Sequence, residues 1–207
     1  MEATPVFSAI IGEHEEIIKI MVQAGADLNV KGDKNGAYVS APGVGGISPL
    51  HFACTQGVSV NLLQTLIAKG ANINDKSVEG ATPLHLAAQQ DHIEMFKFLL
   101  DKGANPNATC SSANVHAKAS VVIWECDLCS PLYHAVKRGR LDMVELIMSN
   151  GGVVNGCVAA TETPLHIAAE KGDVNMVKLL LKYEPIINMR NTEKWLHSFT
   201  FGCQKRT

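Results

Sequence analysis

Short apolar stripes at helical spacing recur along the chain, and the clearest of them begins at Thr82. Thr82 has the side chain of a helix N-cap, and Pro83 has the backbone geometry of a first helical position. Leu84, Ala87 and Ala88 follow at the spacing that places side chains on one helical face. The pattern predicts a short helix with one apolar face.

A second apolar run follows within a few residues. Ile93, Phe96, Leu99 and Leu100 share one helical face, and Gly103 stands where a left-handed C-cap is favoured. The short polar link between the two runs predicts two antiparallel neighbouring helices. Such a pair cannot bury its apolar face alone, so the chain must supply copies of it.

The chain does contain copies of this block. The five block starts, each followed by proline, are Thr4, Ser48, Thr82, Ser130 and Thr163. Three copies end in Gly-Ala-Asp/Asn-x-Asn, at 25–29, 70–74 and 103–107. Over roughly residues 1–192 the chain resembles the ankyrin repeat family, whose unit is a β-turn and two helices with a Thr-Pro-Leu-His start and a period of about 33 residues.

This resemblance implies an all-α ankyrin-repeat α-solenoid of about five helix-turn-helix repeats with β-hairpin loops. The expected repeats lie near 1–29, 47–74, 81–107, 129–155 and 162–188. Wider spacing between block starts predicts two longer loop insertions, at 30–46 and 108–128. The first is rich in glycine and is expected to form a mobile extended finger. Residues 193–207 are expected to form a degenerate half-repeat or an irregular tail.

The second insertion carries the candidate chemistry. Cys126 and Cys129 have the two-residue spacing that lets both thiolates bind one Zn²⁺. Cys110 and His116 lie further away without a recognised knuckle spacing, and Cys126 and Cys129 can instead be packing residues. We therefore predict no metal, with a zinc site formed by these four residues as the alternative.

The same insertion contains an apolar run, 121–124, that ends at Trp124. The run can form an extra strand or pack under a neighbouring repeat. Alternatively, Trp124 can be a binding anchor, because tryptophan offers a large contact area and is enriched in binding hot spots.

Three histidines, His51, His85 and His166, occupy the same position of the block. The resemblance implies a structural role for them, with hydrogen bonds to neighbouring hairpin backbone, rather than metal binding or catalysis. The fourth repeat departs from this pattern: Tyr133 replaces the histidine, and His134 replaces the following leucine.

Four apolar residues of the first repeat are expected to be partly open to water, because no earlier repeat covers them. They are Val6, Phe7, Ile10 and Ile11. Natural terminal repeats carry a polar outer face, so these residues suggest two alternatives. The chain is an N-terminal piece of something longer, or these residues contact a partner.

Composition narrows the function classes. The chain has 207 residues, of which 46% are hydrophobic and 18% charged, with a net charge of −2. This charge balance gives no overall electrostatic attraction for nucleic acid or an acidic membrane. No apolar run approaches the ~18 residues of a membrane span. Six scattered cysteines fit a reducing compartment. We predict a cytoplasmic or nuclear protein without membrane insertion.

No phosphate-binding loop, nucleophile with a base, or pair of carboxylates on one face emerges from the sequence. We therefore predict no enzyme, no cofactor and no small-molecule substrate, but a protein-interaction scaffold that binds a partner protein on its concave surface. The alternatives are the recognition part of a larger enzyme, channel or ubiquitin-ligase adaptor, and a zinc-binding module in the second insertion. The resemblance and the Trp124 argument together predict a partner-binding set of Thr55, Gln56, Lys76, Val78, Glu79, Ala81, Gln89, Gln90, Trp124, Lys137, Arg138, Glu170 and Lys171.

Overall fold

The computed structural model describes residues 4–32, 46–78, 80–110, 130–156 and 163–190. Within these ranges the chain forms ten short helices, arranged as five successive pairs. The inner helix of each pair begins at the Ser/Thr-Pro block: α1 Pro5–Ile11, α3 Pro49–Gln56, α5 Pro83–Gln89, α7 Pro131–Arg138 and α9 Pro164–Glu170. The outer helices are α2 Glu15–Gln23, α4 Val60–Ala68, α6 Ile93–Asp101, α8 Leu141–Ser149 and α10 Val174–Leu181.

Each pair packs mainly on the pairs before and after it. Inner helices contact successive inner helices from α1 to α9, and outer helices contact successive outer helices from α2 to α10. This nearest-neighbour packing is the arrangement of a solenoid, in which each unit covers the apolar face of the next. It confirms the predicted all-α stack of helix pairs.

The core runs along the stack as one continuous cluster. Small residues such as Ala53, Ala87 and Ala135 are fully buried on the inner helices and let neighbouring helices approach closely. Larger side chains, including Leu84 and Phe96, are fully buried in the same core. The apolar stripe that the sequence predicts is therefore the face that each repeat buries.

The expected exposure of the first repeat is wrong for three of its four residues. Val6, Phe7 and Ile10 are buried, because this face of α1 packs against α2 and α3. The Phe7 ring meets the Phe52 ring edge-on, with 5.2 Å between the ring centroids. Ile11 alone is exposed, at 60%. The face of α1 that carries most of the apolar residues is thus the one that meets the second repeat.

The connections show the predicted turn chemistry. Gly103 follows α6 with a φ of 89°, in the left-handed region that glycine adopts without strain. At the base of the first insertion, Gly32 and Ile47 form an isolated antiparallel bridge with two N–H···O distances of 2.8 Å. In the ranges given above this bridge is the only β pairing, so the described hairpins are turns. Of the predicted glycine-rich finger, 30–46, residues 33–45 lie outside the described residues, and so does the tail at 193–207.

Candidate partner-binding surface

His51 joins two repeats through both ring nitrogens. The Ser48 backbone N–H donates to Nδ1 at 3.2 Å, so Nδ1 is an acceptor and the neutral ring carries its proton on Nε2. Nε2 then donates to the Ala81 carbonyl oxygen of the next repeat, at 2.9 Å. Burial is the main reason that the pKa of His51 falls to about 4, which keeps the ring neutral. The geometry supports the structural role that the resemblance implies.

The same cap recurs at two further block starts. The Thr82 backbone N–H donates to His85 Nδ1 at 3.1 Å, and the Thr163 backbone N–H donates to His166 Nδ1 at 3.2 Å. Each imidazole therefore satisfies a backbone donor at the beginning of its own inner helix. These three histidines have a structural role within the repeats.

The fourth repeat begins differently. The Ser130 hydroxyl accepts the Tyr133 backbone N–H at 3.2 Å, so a side-chain oxygen alone caps α7. His134 takes the position of Leu86 and is 5% exposed, and no described residue forms a hydrogen bond with its Nε2. Burial lowers the pKa of His134 to about 4, and the nearby His85 adds to the effect. The His85 and His134 ring centroids are 6.3 Å apart.

Two predicted binding positions follow Ala87 and Ala88, and the equivalent positions of the other repeats lie likewise at the C-terminal ends of the inner helices. We call these eight residues the inner-end surface: Thr55, Gln56, Gln89, Gln90, Lys137, Arg138, Glu170 and Lys171. Because α3, α5, α7 and α9 pack in succession, equivalent residues of neighbouring repeats lie side by side. The structure therefore brings these eight predicted residues into one row.

The row changes character along the stack. The Thr55 hydroxyl donates to the His51 carbonyl oxygen at 3.0 Å, and Gln89 and Gln90 are half-buried. The Gln89 Oε1 atom is buried, and no described residue donates to it. Gln56 is exposed. This half of the row is uncharged.

The other half of the row is basic. Lys137, Arg138 and Lys171 are all exposed, and Lys171 Nζ donates a short hydrogen bond to the Lys137 carbonyl oxygen. Lys137 Nζ lies 5.8 Å from the centroid of the Tyr133 ring. Arg138 makes no hydrogen bond or ion pair with any described residue. Glu170, next to Lys171, is the one acidic residue among the eight.

The hairpin positions of the predicted set are less uniform. Lys76 and Val78 are exposed, and the Lys76 carbonyl oxygen accepts a hydrogen bond from Lys31 Nζ at 3.2 Å. Lys31 also pairs with Asp75, which links the end of the first repeat to the second hairpin. Ala81 is 2% exposed, and its carbonyl oxygen is used by His51. We therefore leave Ala81 out of the surface.

Several predicted residues lie outside the described ranges: Glu79, His116, Trp124, Cys126 and Cys129. Of the alternative zinc ligands only Cys110 is described, and it is buried. Across the described ranges, no three His, Cys, Asp or Glu side chains converge in a way that would hold a metal ion. The alternative zinc site remains a prediction.

Sequence reasoning missed an asparagine ladder between hairpins. Asn107 Nδ2 donates to the Gly151 carbonyl oxygen at 2.9 Å, and its Oδ1 accepts the Val153 N–H at 2.8 Å. Asn74, one repeat earlier, bonds in the same way to Gly103 and Asn105. Asn29, two repeats earlier, bonds in the same way to Gly70 and Asn72. The signal was present, because each asparagine ends a Gly-Ala-Asp/Asn-x-Asn motif.

Arg140 lies two residues after Arg138 in the sequence, but it is paired with two carboxylates. Its guanidinium contacts the Asp142 carboxylate at 2.8 Å and forms a short ion pair with Asp91 of the preceding repeat. Asp91 stands in the left-handed region, with a φ of 66°. Arg140 thus ties two repeats together and is not part of the inner-end surface.

A row of exposed side chains on stacked helix pairs defines a repeat protein with an extended recognition surface. The family model described as "Ankyrin repeats (3 copies)" matches residues 33–110 and 115–191. The chain belongs to the ankyrin repeat family, whose repeats are generally protein–protein interaction modules and are typically non-catalytic. None of the helices in the described part is long and apolar enough for a bilayer crossing.

Three relatives show how the chain compares in extent. It is 34% identical to alpha-latrocrustotoxin-Lt1a of Latrodectus tredecimguttatus over 52% of the chain and 7% of that protein. It is 28% identical to the ankyrin repeat and KH domain-containing protein mask-1 of Caenorhabditis elegans, over 99% of the chain and 8% of that protein. The match to the B-cell lymphoma 3 protein homolog of Mus musculus is 27%, over 82% of the chain and 33% of that protein. The chain spans a third or less of each of these relatives.

Proposed function

We propose that this chain is a protein-interaction scaffold that binds a partner protein through the inner-end surface, on the concave side that the family resemblance implies. One observation carries the proposal. Equivalent side chains of four successive repeats lie in one row at the inner-helix ends, and four of the eight, all from the last two repeats, are exposed charged groups. A partner segment crossing that row contacts several repeats at once, although the residues are far apart in sequence.

The exposed hairpin residues Lys76 and Val78 extend this surface at the second repeat. Glu79 and Trp124 stay in the proposed set as predictions. We propose binding rather than catalysis as the role, with a protein partner and neither a cofactor, a small-molecule substrate, nucleic acid nor membrane insertion. The proposed location is the cytoplasm or nucleus, which imaging of the tagged full chain tests.

A second candidate is that the chain is the recognition part of a larger enzyme, channel or ubiquitin-ligase adaptor. The observation that favours it is the small share of each relative that the chain covers, from 7% to 33%. The two candidates share the same binding surface and differ in what is attached to it.

Affinity capture with the intact chain, followed by mass spectrometry, tests the proposal when two variants are compared. Gln90→Trp places a large neutral side chain in the middle of the row, whereas Lys97→Trp places it on outer helix α6. The proposal expects that a partner captured by the natural chain is lost with Gln90→Trp and kept with Lys97→Trp. A partner lost only with Lys97→Trp would place binding on the outer helices and contradict the proposal.

A further inference from the structure

The fifth repeat exposes positions that the first four repeats bury. Ala169 of α9 is exposed, whereas the residue at the same position of each earlier repeat is at most 1% exposed. Leu165 and Val177 are half-buried, and their equivalents in all four earlier repeats are buried. The equivalent residues are Ile10, Cys54, Ala88 and Val136 for Ala169, Val6, Leu50, Leu84 and Leu132 for Leu165, and Ile18, Leu63, Phe96 and Val144 for Val177.

A following repeat is what covers these positions. The first repeat has no described repeat before it, yet Val6, Ile10 and Ile18 are buried there. The fifth repeat differs from the others in having no described repeat after it. Leu181 and Ile187, at 43% and 68%, are also more exposed than their equivalents in every earlier repeat. We call the resulting apolar surface the open face: Leu165, Ala169, Val177, Leu181 and Ile187.

Two kinds of hydrogen bond between repeats also stop here. His51 Nε2 donates to a carbonyl oxygen of the next repeat, and Asn107 bonds to the next hairpin. The residues at the same positions of the fifth repeat are His166 and Asn188. His166 accepts the Thr163 N–H on Nδ1, so its proton is on Nε2, and no described residue accepts from that atom or bonds to the Asn188 side chain. Both side chains are therefore available to the backbone of a further segment.

The chain itself supplies a segment at this end of the stack. Residues 191–207, which lie outside the described residues, contain four large apolar residues: Trp195, Leu196, Phe199 and Phe201. Trp195 lies five residues after Arg190, and five extended residues span at most about 18 Å. Four repeats separate the fifth repeat from the first, which is about 32–40 Å at the usual spacing of packed helices. Trp195 can therefore reach the open face but not the first repeat.

We propose that residues 191–207 dock on the open face and form an intramolecular cap at the end of the stack. Their apolar side chains cover Ala169, Leu181 and Ile187, and their backbone accepts the His166 Nε2 proton. Because the segment is tethered to the face that it covers, its effective concentration exceeds that of a second copy in dilute solution. Ala169 directly precedes Glu170 in α9, so the cap borders the inner-end surface. The inference does not depend on which partner that surface binds.

The fluorescence of Trp195 in the full chain tests the inference. The chain has two tryptophans, so the substitution Trp124→Phe leaves Trp195 as the only one. In this background we expect Trp195 to emit at short wavelength and to resist quenching by acrylamide, because docking removes the indole from water. Emission and quenching equal to those of the same chain unfolded in urea would overturn the inference.

Two matched pairs of substitutions locate the docking site. Leu181→Glu with Ile187→Glu places two charges on the open face, and Ile17→Glu with Ile20→Glu does the same at two residues of the first repeat that are 45% and 62% exposed. The first pair should increase the quenching of Trp195 severalfold, and the second pair should leave it unchanged. No increase with the first pair, or an equal increase with both, would contradict the inference. Ala169→Arg should give the same increase if circular dichroism shows that the first pair is misfolded.

Dilution distinguishes a cap within one chain from a contact between two copies. For the intramolecular cap, the quenching of Trp195 stays the same over about a hundredfold dilution, and sedimentation gives the mass of one chain. Stronger quenching on dilution, with the mass of two or more chains at the higher concentration, would assign the covering of the open face to a second copy. That result would overturn the intramolecular cap.

Discussion

The third and fourth repeats have the same backbone plan but use their polar residues differently. In the third, the His85 imidazole accepts the Thr82 N–H, and the inner helix ends in neutral glutamines. In the fourth, the imidazole lies one position further along, at His134, where its buried Nε2 has no hydrogen-bond partner among the described residues, and the helix ends in Lys137 and Arg138. The comparison teaches that the polar residues of a repeat can change while the helix framework and the apolar face are kept.

The largest expected effect tests whether the two frameworks really are equivalent. Leu84→Ala and Leu132→Ala should each lower the free energy of unfolding by about 2–5 kcal/mol, because both side chains are buried in the core and each change leaves a cavity. Urea denaturation of both variants measures this. A large loss for one variant and none for the other would show that only one of these repeats is part of the folded stack.

Acid should destabilise the folded chain through His134 of the fourth repeat. The pKa of His134 is lowered from 6.5 to about 4, so between these values the unfolded chain binds a proton that the folded chain does not. Stability therefore falls as the pH drops from about 6.5 to 4, by on the order of 2 kcal/mol for this group. The pKa of His51 is lowered in the same direction and adds to the loss.

His134→Leu should remove the His134 part of this pH dependence and leave the part due to His51. The measurement is urea denaturation from pH 7 to pH 4.5, compared with the natural chain. If the free energy of unfolding of the variant depended on pH as that of the natural chain does, His134 would be protonated in the folded state.

The same substitution should have opposite signs in the two repeats. His85→Leu leaves the Thr82 N–H buried without its acceptor, and we expect a loss of about 2 kcal/mol. His134→Leu replaces an imidazole whose buried Nε2 has no hydrogen-bond partner among the described residues with the residue type of Leu86, and should gain about 1 kcal/mol. Thermal unfolding of both variants at pH 7 shows the signs, and destabilisation by both would remove the contrast between the repeats.

The last prediction concerns binding rather than stability. Arg138→Glu should weaken the affinity for the natural partner by more than about 1 kcal/mol, because it removes an exposed guanidinium from the proposed contact and reverses the charge there. Lys97→Ala on outer helix α6 should be nearly silent. Isothermal titration calorimetry measures the affinity of each variant for the partner. A larger loss of affinity for Lys97→Ala than for Arg138→Glu would place the site on the outer helices.

The helix pairs were predictable because the same local sequence signals recur in each repeat. Proline after Ser or Thr, an apolar stripe and a glycine such as Gly103 each specify a local backbone state, and the copies agree with one another. The exposure of the first repeat was misjudged, since a stripe does not say which neighbour covers it. Phe7 is buried because α3 lies against α1, and that packing is a property of the assembled stack.

The inner-end residues could be located from the repeat register, but their charge environment could not. Arg138 and Arg140 are two residues apart and look alike in the sequence. Arg140 is paired with Asp91 and Asp142, while Arg138 has no described partner. Pairing with Asp91 depends on the left-handed backbone at that residue and on the stacking of two repeats, neither of which a local pattern encodes.

Hydrogen exchange of the full chain, with and without its captured partner, tests the proposed surface most directly. The account predicts slower exchange in the partner complex at the C-terminal ends of α5, α7 and α9 and in the turns that follow them, with α6, α8 and α10 unchanged. Slower exchange confined to the outer helices, with the inner ends unchanged, would contradict it.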